Sequence, residues 1–238
     1  MFFIYINLEQ RIDRMNHMQS LLRKYDLPHE RFNAIKPSMD DIQKVEGKLS
    51  RRLKQYVKEK YIRAVGVIGC YLSHYKCLLR CKSLTSFDHV AILEDDLKFT
   101  KTSIWLLKNI VRYMDSSNKD WDMLRVTWNM KNKAWNLKRN GIEFITNLNG
   151  ISVYKMNSVN FQSKYANPST RTNNFFGGTH FQIINRKKVD KILKYLDEEK
   201  LYNIDSIYST NKLNIFFVTN STVMIKSNFF LDTDIPKI

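Results

Sequence analysis

Apolar residues along this chain recur at two different spacings. The run "FFIYIN" at residues 2–7 is aromatic and β-branched, which predicts a buried strand. In "RIDRMNHMQSLLRKY" after it, Ile12, Met15, Met18, Leu21 and Leu22 fall at helical spacing. Residues 41–63 place Val45, Leu49, Leu53, Tyr56 and Val57 on one face of an amphipathic segment. Its other faces carry Lys44, Lys48, Arg51, Arg52, Lys54, Lys58, Lys60 and Arg63. A helix is predicted from about Gly69, with Leu72, Tyr75, Leu78 and Leu79 inward, and a strand in "HVAILEDD" follows it. A helix in "IWLLKNIVRYM" and a strand in "WDMLRVTW" come next. Residues 129–174, rich in Asn, Lys, Ser and Thr, predict loops and short antiparallel strands. "THFQIINR" predicts a strand, and "KKVDKILKYLDEE" a helix with Val189, Ile192, Leu193 and Leu196 on one face; another strand-like run lies in the tail. Alternating strands and helices predict an α/β fold, and no repeat or low-complexity linker divides residues 1–238, which predicts a single domain.

Composition bears on partners more than on fold. Apolar residues make up 43% and aromatic residues 13%, ample for a packed core. Lys plus Arg number 39 against 23 Asp plus Glu, a net charge of +16, which predicts an anionic partner: phosphate, nucleotide, nucleic acid or an anionic surface. The basic segment at 44–63 is either a solvated face or a surface that steers such a partner. Cys70, Cys77 and Cys81 are an odd count, and only Cys77 and Cys81 stand an i,i+4 step apart. They read as unbridged core thiols, since a zinc site would lack a fourth ligand of the usual spacing. The opening "MFFIYINLEQR" has no basic leader and its apolar run stops after Ile6, too short for a signal segment or a membrane span. The chain thus reads as soluble and intracellular.

The stretch "VAILEDDLKF" ends an apolar run in three consecutive carboxylates, Glu94, Asp95 and Asp96. Adjacent anions repel one another, so something cationic is expected against them, either a metal ion or the protein's own lysines and arginines. In open α/β sheets ligands sit beyond the carboxyl ends of the strands, which is where these acids fall. In extended chain, Glu94 and Asp96 project to one side and Asp95 to the other, so two oxygen donors could share one hard divalent cation. Such a cation would neutralise a departing diphosphate.

Three blocks in order resemble glycosyltransferase family 25, which includes bacterial lipooligosaccharide galactosyltransferases and collagen-type galactosyl- and glucosyltransferases. "IYINLEQRIDRM" resembles the family's opening strand with its Ile-Asn-Leu and paired arginines. "GVIGCYLSHYKCL" resembles its Gly-Cys-x-x-Ser-His-x-x-x-Leu helix, and "AILEDD" its acidic motif. These blocks cover roughly the first 100 residues; "WDMLRV", "FQIINRKKVDKIL" and "NIDSIY" extend the resemblance more weakly. The resemblance implies a GT-A type, Rossmann-like fold with a mostly parallel sheet, a UDP-sugar donor, and usually Mn²⁺, with Mg²⁺ as a substitute. It implies transfer of glucose or galactose to a hydroxyl of a glycan or glycoprotein acceptor, with galactosyl-hydroxylysine of a collagen-like protein favoured. Residues 1–100 would form the nucleotide-sugar and metal half, and 101–238 the acceptor half.

Carried over by position, the resemblance implies that Asn7 and Leu8 border the nucleotide and that Arg11 and Arg14 reach its phosphates. Ser73, His74 and Lys76 lie on the helix before the acidic strand; Ser73 and Lys76 are expected at the donor, and His74 is either a hydrogen-bonded structural histidine, the favoured reading, or a ligand. Glu94 and Asp96 would hold metal and sugar phosphate, with Asp95 contacting the donor sugar or bracing the loop. In "FFGGTHFQ", His180 follows two glycines that permit close backbone approach, so it is a metal or acceptor contact or a satisfied strand-start histidine. Asp232 and Asp234 are the alternative third metal ligands. Asp205 in "YNIDSIYS" is the lone carboxylate best suited to take an acceptor proton, unless it only caps a helix. Two rival functions are a metal-dependent nuclease or nucleotidyltransferase and a noncatalytic binding module on the same fold. The chain has no zinc-finger spacing, RNP-like strand or Walker loop, so nucleic acid is not the expected partner.

Overall fold

The computed structural model describes residues 1–117, 119–127, 142–156, 180–208, 210, 212–219 and 225–226. In chain order these form β1 (Phe2–Asn7), α1 (Ile12–Lys24), β2 (His29–Asn33), α2 (Met39–Lys44), α3 (Arg51–Glu59), α4 (Tyr61–Ser83), β3 (His89–Glu94) and β4 (Leu97–Lys98). There follow α5 (Lys101–Ser116), β5 (Met123–Thr127), β6 (Ile142–Leu148), β7 (Ile151–Met156), β8 (Phe181–Asn185), α6 (Val189–Glu198), α7 (Ile204–Ile207), β9 (Ile215–Thr219) and β10 (Ile225–Lys226). Single 3₁₀ turns at Glu46–Lys48 and Arg186–Lys188 precede α3 and α6.

Eight strands form one sheet in the order β2-β1-β3-β8-β5-β9-β7-β6, and β4 pairs with β10 separately. β1 is parallel to both neighbours and β5 to β9, whereas β8 runs against β3 and β5, and β7 against β9 and β6. Most strands therefore share one direction, and two reversed strands interrupt it. Side chains alternate between faces with period two. Ile4, Ile6, Val90, Ile92, Ile184 and Phe217 face α3, α4, α6 and α7. Phe3, Tyr5, Ala91, Leu93, Ile183 and Phe216 face α1 and α5. The result is an α/β/α sandwich, a Rossmann-like domain of the GT-A type.

Several helices differ from the sequence expectation. The amphipathic stretch 41–63 is broken: Ser38 caps α2 in a capping box with Asp41, and Ser50 starts α3 afresh by accepting from the Leu53 N–H. Helix α4 begins at Tyr61 and turns Cys77, Leu78 and Cys81 inward, while Leu79 is 38% exposed. Apolar residues surround much of that helix, so spacing alone sets its phase poorly. On α1, Ile12 is 59% exposed and Arg14 is buried in its place. Among the described residues no helix is long and apolar enough to cross a membrane.

Strand β1 lies between β2 and β3, so the chain leaves it first to one side and then to the other. Connections diverge at such a point and leave a crevice beyond the carboxyl ends of the strands.

Candidate functional site

A cleft of about 520 Å³ opens beyond the ends of β1 and β3, within the usual range for a small-molecule site. Leu8 and Gln10 line it from the β1–α1 connection, Arg14 from the first turn of α1, residues 34–36 from the loop after β2, and Ile62, Val65, Gly69, Cys70, Ser73 and His74 from α4. Glu94, Asp95, Asp96 and His180 complete it.

The loop at 34–36 is held by the Gly-Cys-x-x-Ser-His segment of α4. The Ile35 N–H donates to Ser73 Oγ at 2.8 Å, and Ser73 Oγ donates to the Gly69 carbonyl at 2.7 Å. A Cβ on Gly69 would run into the Ile35 carbonyl oxygen and crowd Pro37, so only glycine lets the loop lie this close.

β3 ends at Glu94 and the chain turns at Asp95 and Asp96 into β4. The Glu94 N–H donates to the His180 carbonyl at 2.9 Å, which sets the start of reversed β8 beside the end of β3. His180 Nδ1 lies 2.6 Å from Glu94 Oε2 and 3.5 Å from Asp96 Oδ1. One ligand atom each from Glu94, Asp96 and His180 falls within a 4.8 Å cluster. Two carboxylate oxygens and an imidazole suit a hard or borderline divalent cation, so these residues could hold one. Burial opposes charge on His180, yet Glu94 and Asp96 outweigh it and raise the imidazole to about 10. Burial would likewise raise Glu94, but His180 and His74 bring it well below the usual carboxylate range. His180 and Glu94 form a tightly held ion pair.

Asp95 points the other way. Its Oδ2 accepts from Asn7 Nδ2 at 2.7 Å and its Oδ1 from Arg14 Nη1 at 2.9 Å. Burial pushes its carboxyl up, against the lowering by Asn7 and Arg14. Asn7 also donates to the Arg11 carbonyl and accepts from Arg31 Nε at 2.9 Å. Asn7, Arg14 and Asp95 thus tie the end of β1 to the turn after β3. Arg11 lies on Asp13 at 2.8 Å and is not part of the cleft lining. Lys76 is exposed on α4, also outside the lining.

Asp205 lies in α7 on the α4 side of the sheet, outside the cleft lining; buried Arg125 donates to its backbone carbonyl at 3.4 Å. Asp232, Asp234 and the glycines before His180 lie outside the described residues. Sequence reasoning missed Gln10 and Lys36. The signal was their place: both follow the carboxyl end of a parallel strand.

Known proteins match about half of this chain in sequence. A 123-residue stretch is 32% identical to a "Glycosyltransferase 25 family member" of Drosophila pseudoobscura pseudoobscura, covering 50% of this chain and 19% of that protein. "Procollagen galactosyltransferase 1-B" of Xenopus laevis is 27% identical over 121 residues, 50% of this chain and 20% of that protein. These matches span about a fifth of the relatives' length. Among solved structures, A197 from STIV covers 100% of this chain with 96% of its own at 10% identity and a TM-score of 0.41, too distant to carry an argument. The family model described as "Glycosyltransferase family 25 (LPS biosynthesis protein)" matches residues 1–208, most of the chain including every element from β1 to α7, and the chain belongs to that family.

Proposed function

We propose that this protein transfers a hexose from a UDP-sugar to a hydroxyl group of a glycan or glycoprotein, with Mn²⁺ or Mg²⁺ held by Glu94, Asp96 and His180. The observation that carries the reading is the convergence of those three side chains within 4.8 Å at the mouth of the cleft. A bound cation would supply positive charge to the departing diphosphate. Exposed Lys36 adds a second positive charge at the same cleft, and Leu8, Ile62 and Val65 offer apolar wall to a base or sugar. Asp95, braced by Asn7 and Arg14, keeps the acidic turn in place while its neighbours engage the ligand.

Residues 1–100 supply most of the donor side in this reading, with His180 added from the second half of the chain, and 101–238 the acceptor side. Asp205 is the proposed base for the acceptor hydroxyl, which requires the reacting hydroxyl to approach the donor from the α7 side within hydrogen-bond reach of this carboxylate. The frog relative's printed name favours galactose as the hexose and a procollagen-type acceptor.

A panel of UDP-sugars, assayed with Mn²⁺ and a hydroxylysine-containing procollagen-type peptide, a galactosyl-hydroxylysine or a glycan acceptor, tests the class and the donor together. One UDP-hexose, UDP-galactose ahead of UDP-glucose, should release UDP in a cation-dependent manner. Release that is unaffected by EDTA, or absent with every UDP-hexose, would overturn the reading.

A further inference from the structure

Glu94 faces two clusters. Besides Asp96 and His180, its carboxylate lies against Cys70 and His74 of α4, and one ligand atom from each of Cys70, His74 and Glu94 again falls within 4.8 Å. Cys70 and His74 stand one turn apart, so both side chains emerge on the same stripe of the helix. Both line the cleft, which gives an ion a route in from solvent.

His74 carries the argument. It is 1% exposed, and neither ring nitrogen makes a hydrogen bond among the described residues. Buried polar groups are almost always satisfied, and an orphan calls for an explanation such as an ion. His74 Nε2 lies 3.6 Å from Glu94 Oε1, too long for a hydrogen bond. Two such ligands on one tetrahedral zinc ion stand about 3.4 Å apart.

We propose that Cys70, His74 and Glu94 form a second metal site for a soft divalent cation of the zinc type, overlapping the Glu94–Asp96–His180 cluster through the shared carboxylate. Thiolate and imidazole select zinc, whereas two carboxylates and an imidazole suit manganese or magnesium. Three protein ligands leave the fourth zinc position to water or a ligand in the cleft. Glu94 presents Oε1 to His74 and Oε2 to His180, so the one carboxylate can bridge an ion in each cluster. That bridging consequence rests on the transferase reading above; the existence of the site does not. Cys77 and Cys81 are no alternative, since burial pushes both thiols up and neither lines the cleft.

Co²⁺ added alone to the purified, cation-free chain is the probe, because a cobalt–thiolate bond gives a near-ultraviolet charge-transfer absorption. The band should appear in the wild type and in His180→Gln and vanish on adding Zn²⁺. It should be absent in Cys70→Ser and Cys70→Ala, and His74→Gln should weaken Co²⁺ binding at least about tenfold. Far-ultraviolet circular dichroism and melting of each variant separate lost ligation from lost folding. No band in the wild type, or a band that survives in a folded Cys70 variant, would overturn the proposal. Absence of sugar transfer with the band intact would count against the proposed function and leave this site standing.

Discussion

His180 Nδ1 lies 2.6 Å from Glu94 Oε2 because the backbone of β8, run in reverse, pairs with the end of β3 through the Glu94 N–H. That contact brings a histidine from the second half of the chain onto an acidic motif from the first. Asp96 joins them while Asp95, between the two, turns toward Asn7 and Arg14. The alternation predicted for the three acids is thus kept, even though the chain bends into a turn after Glu94.

Asp96→Asn should abolish transfer without unfolding the protein, since it removes one charge and little volume. A loss of at least about 100-fold in kcat/KM is expected, the scale of a lost preorganised contact to developing charge. EDTA should produce the same loss in the wild type and Mn²⁺ should restore it. UDP release measured on the variant checks this, and undiminished turnover would remove Asp96 from the cation.

Gly69→Ala inverts an ordinary expectation. In a free helix, alanine is favoured over glycine by about 1 kcal/mol. Here the new Cβ meets the Ile35 carbonyl, so a net loss of roughly 1–3 kcal/mol is expected, as for an overpacked core. Because residues 34–36 line the cleft, donor KM should rise with little change in acceptor KM. Thermal melting and a donor titration read the two effects separately.

His89, at the start of β3, stacks on Trp121 with ring centroids 5.4 Å apart. Burial pushes its imidazole below the ordinary 6.5, against the opposing pull of Asp115 and Asp88 and together with the chain's amino terminus. The unfolded chain therefore takes up this proton at a higher pH than the folded one. The linked stability is intact above pH 6.5 and is lost as pH falls through the folded value. The melting temperature should begin to drop just below pH 6.5, and His89→Phe, which keeps a ring against Trp121, should make that drop shallower.

Asp205→Asn tests the proposed base. An inverting transfer needs a group to take the acceptor proton, and such catalysis is worth roughly 100- to 10,000-fold. The variant should lose that factor in kcat with acceptor KM little changed, and the wild-type product should be β-linked by proton NMR. A β-linked product from a fully active variant would move the role to another carboxylate: Asp95 in the cleft, or Asp232 or Asp234 in the tail. An α-linked product would mean that no protein base is needed, the departing phosphate taking the proton.

The sequence by itself determined what is local. An apolar run long enough for one strand set β1 and β3, and three acids at the end of "VAIL" were placed beyond a strand's carboxyl end by the general rule for α/β sheets. The hairpin joining β6 and β7 was also readable in principle: Asn149 and Gly150, with φ of 52° and 82°, are the Asn-Gly pair that a tight two-residue turn favours. Tertiary structure decided every pairing between distant segments. That His180 meets Glu94 depends on strand order and on the reversal of β8, and neither leaves a trace in spacing. The same holds for Gly69 against Ile35, for Asp95 against Arg14, and for the phase of α4, where Cys77 rather than Leu79 turns inward. Cys70 and His74 were readable as one turn apart on a helix, but their third partner comes from a strand across the cleft. Periodicity fixes which face of an element is apolar; only the packing of elements decides which polar groups are forced together at their ends.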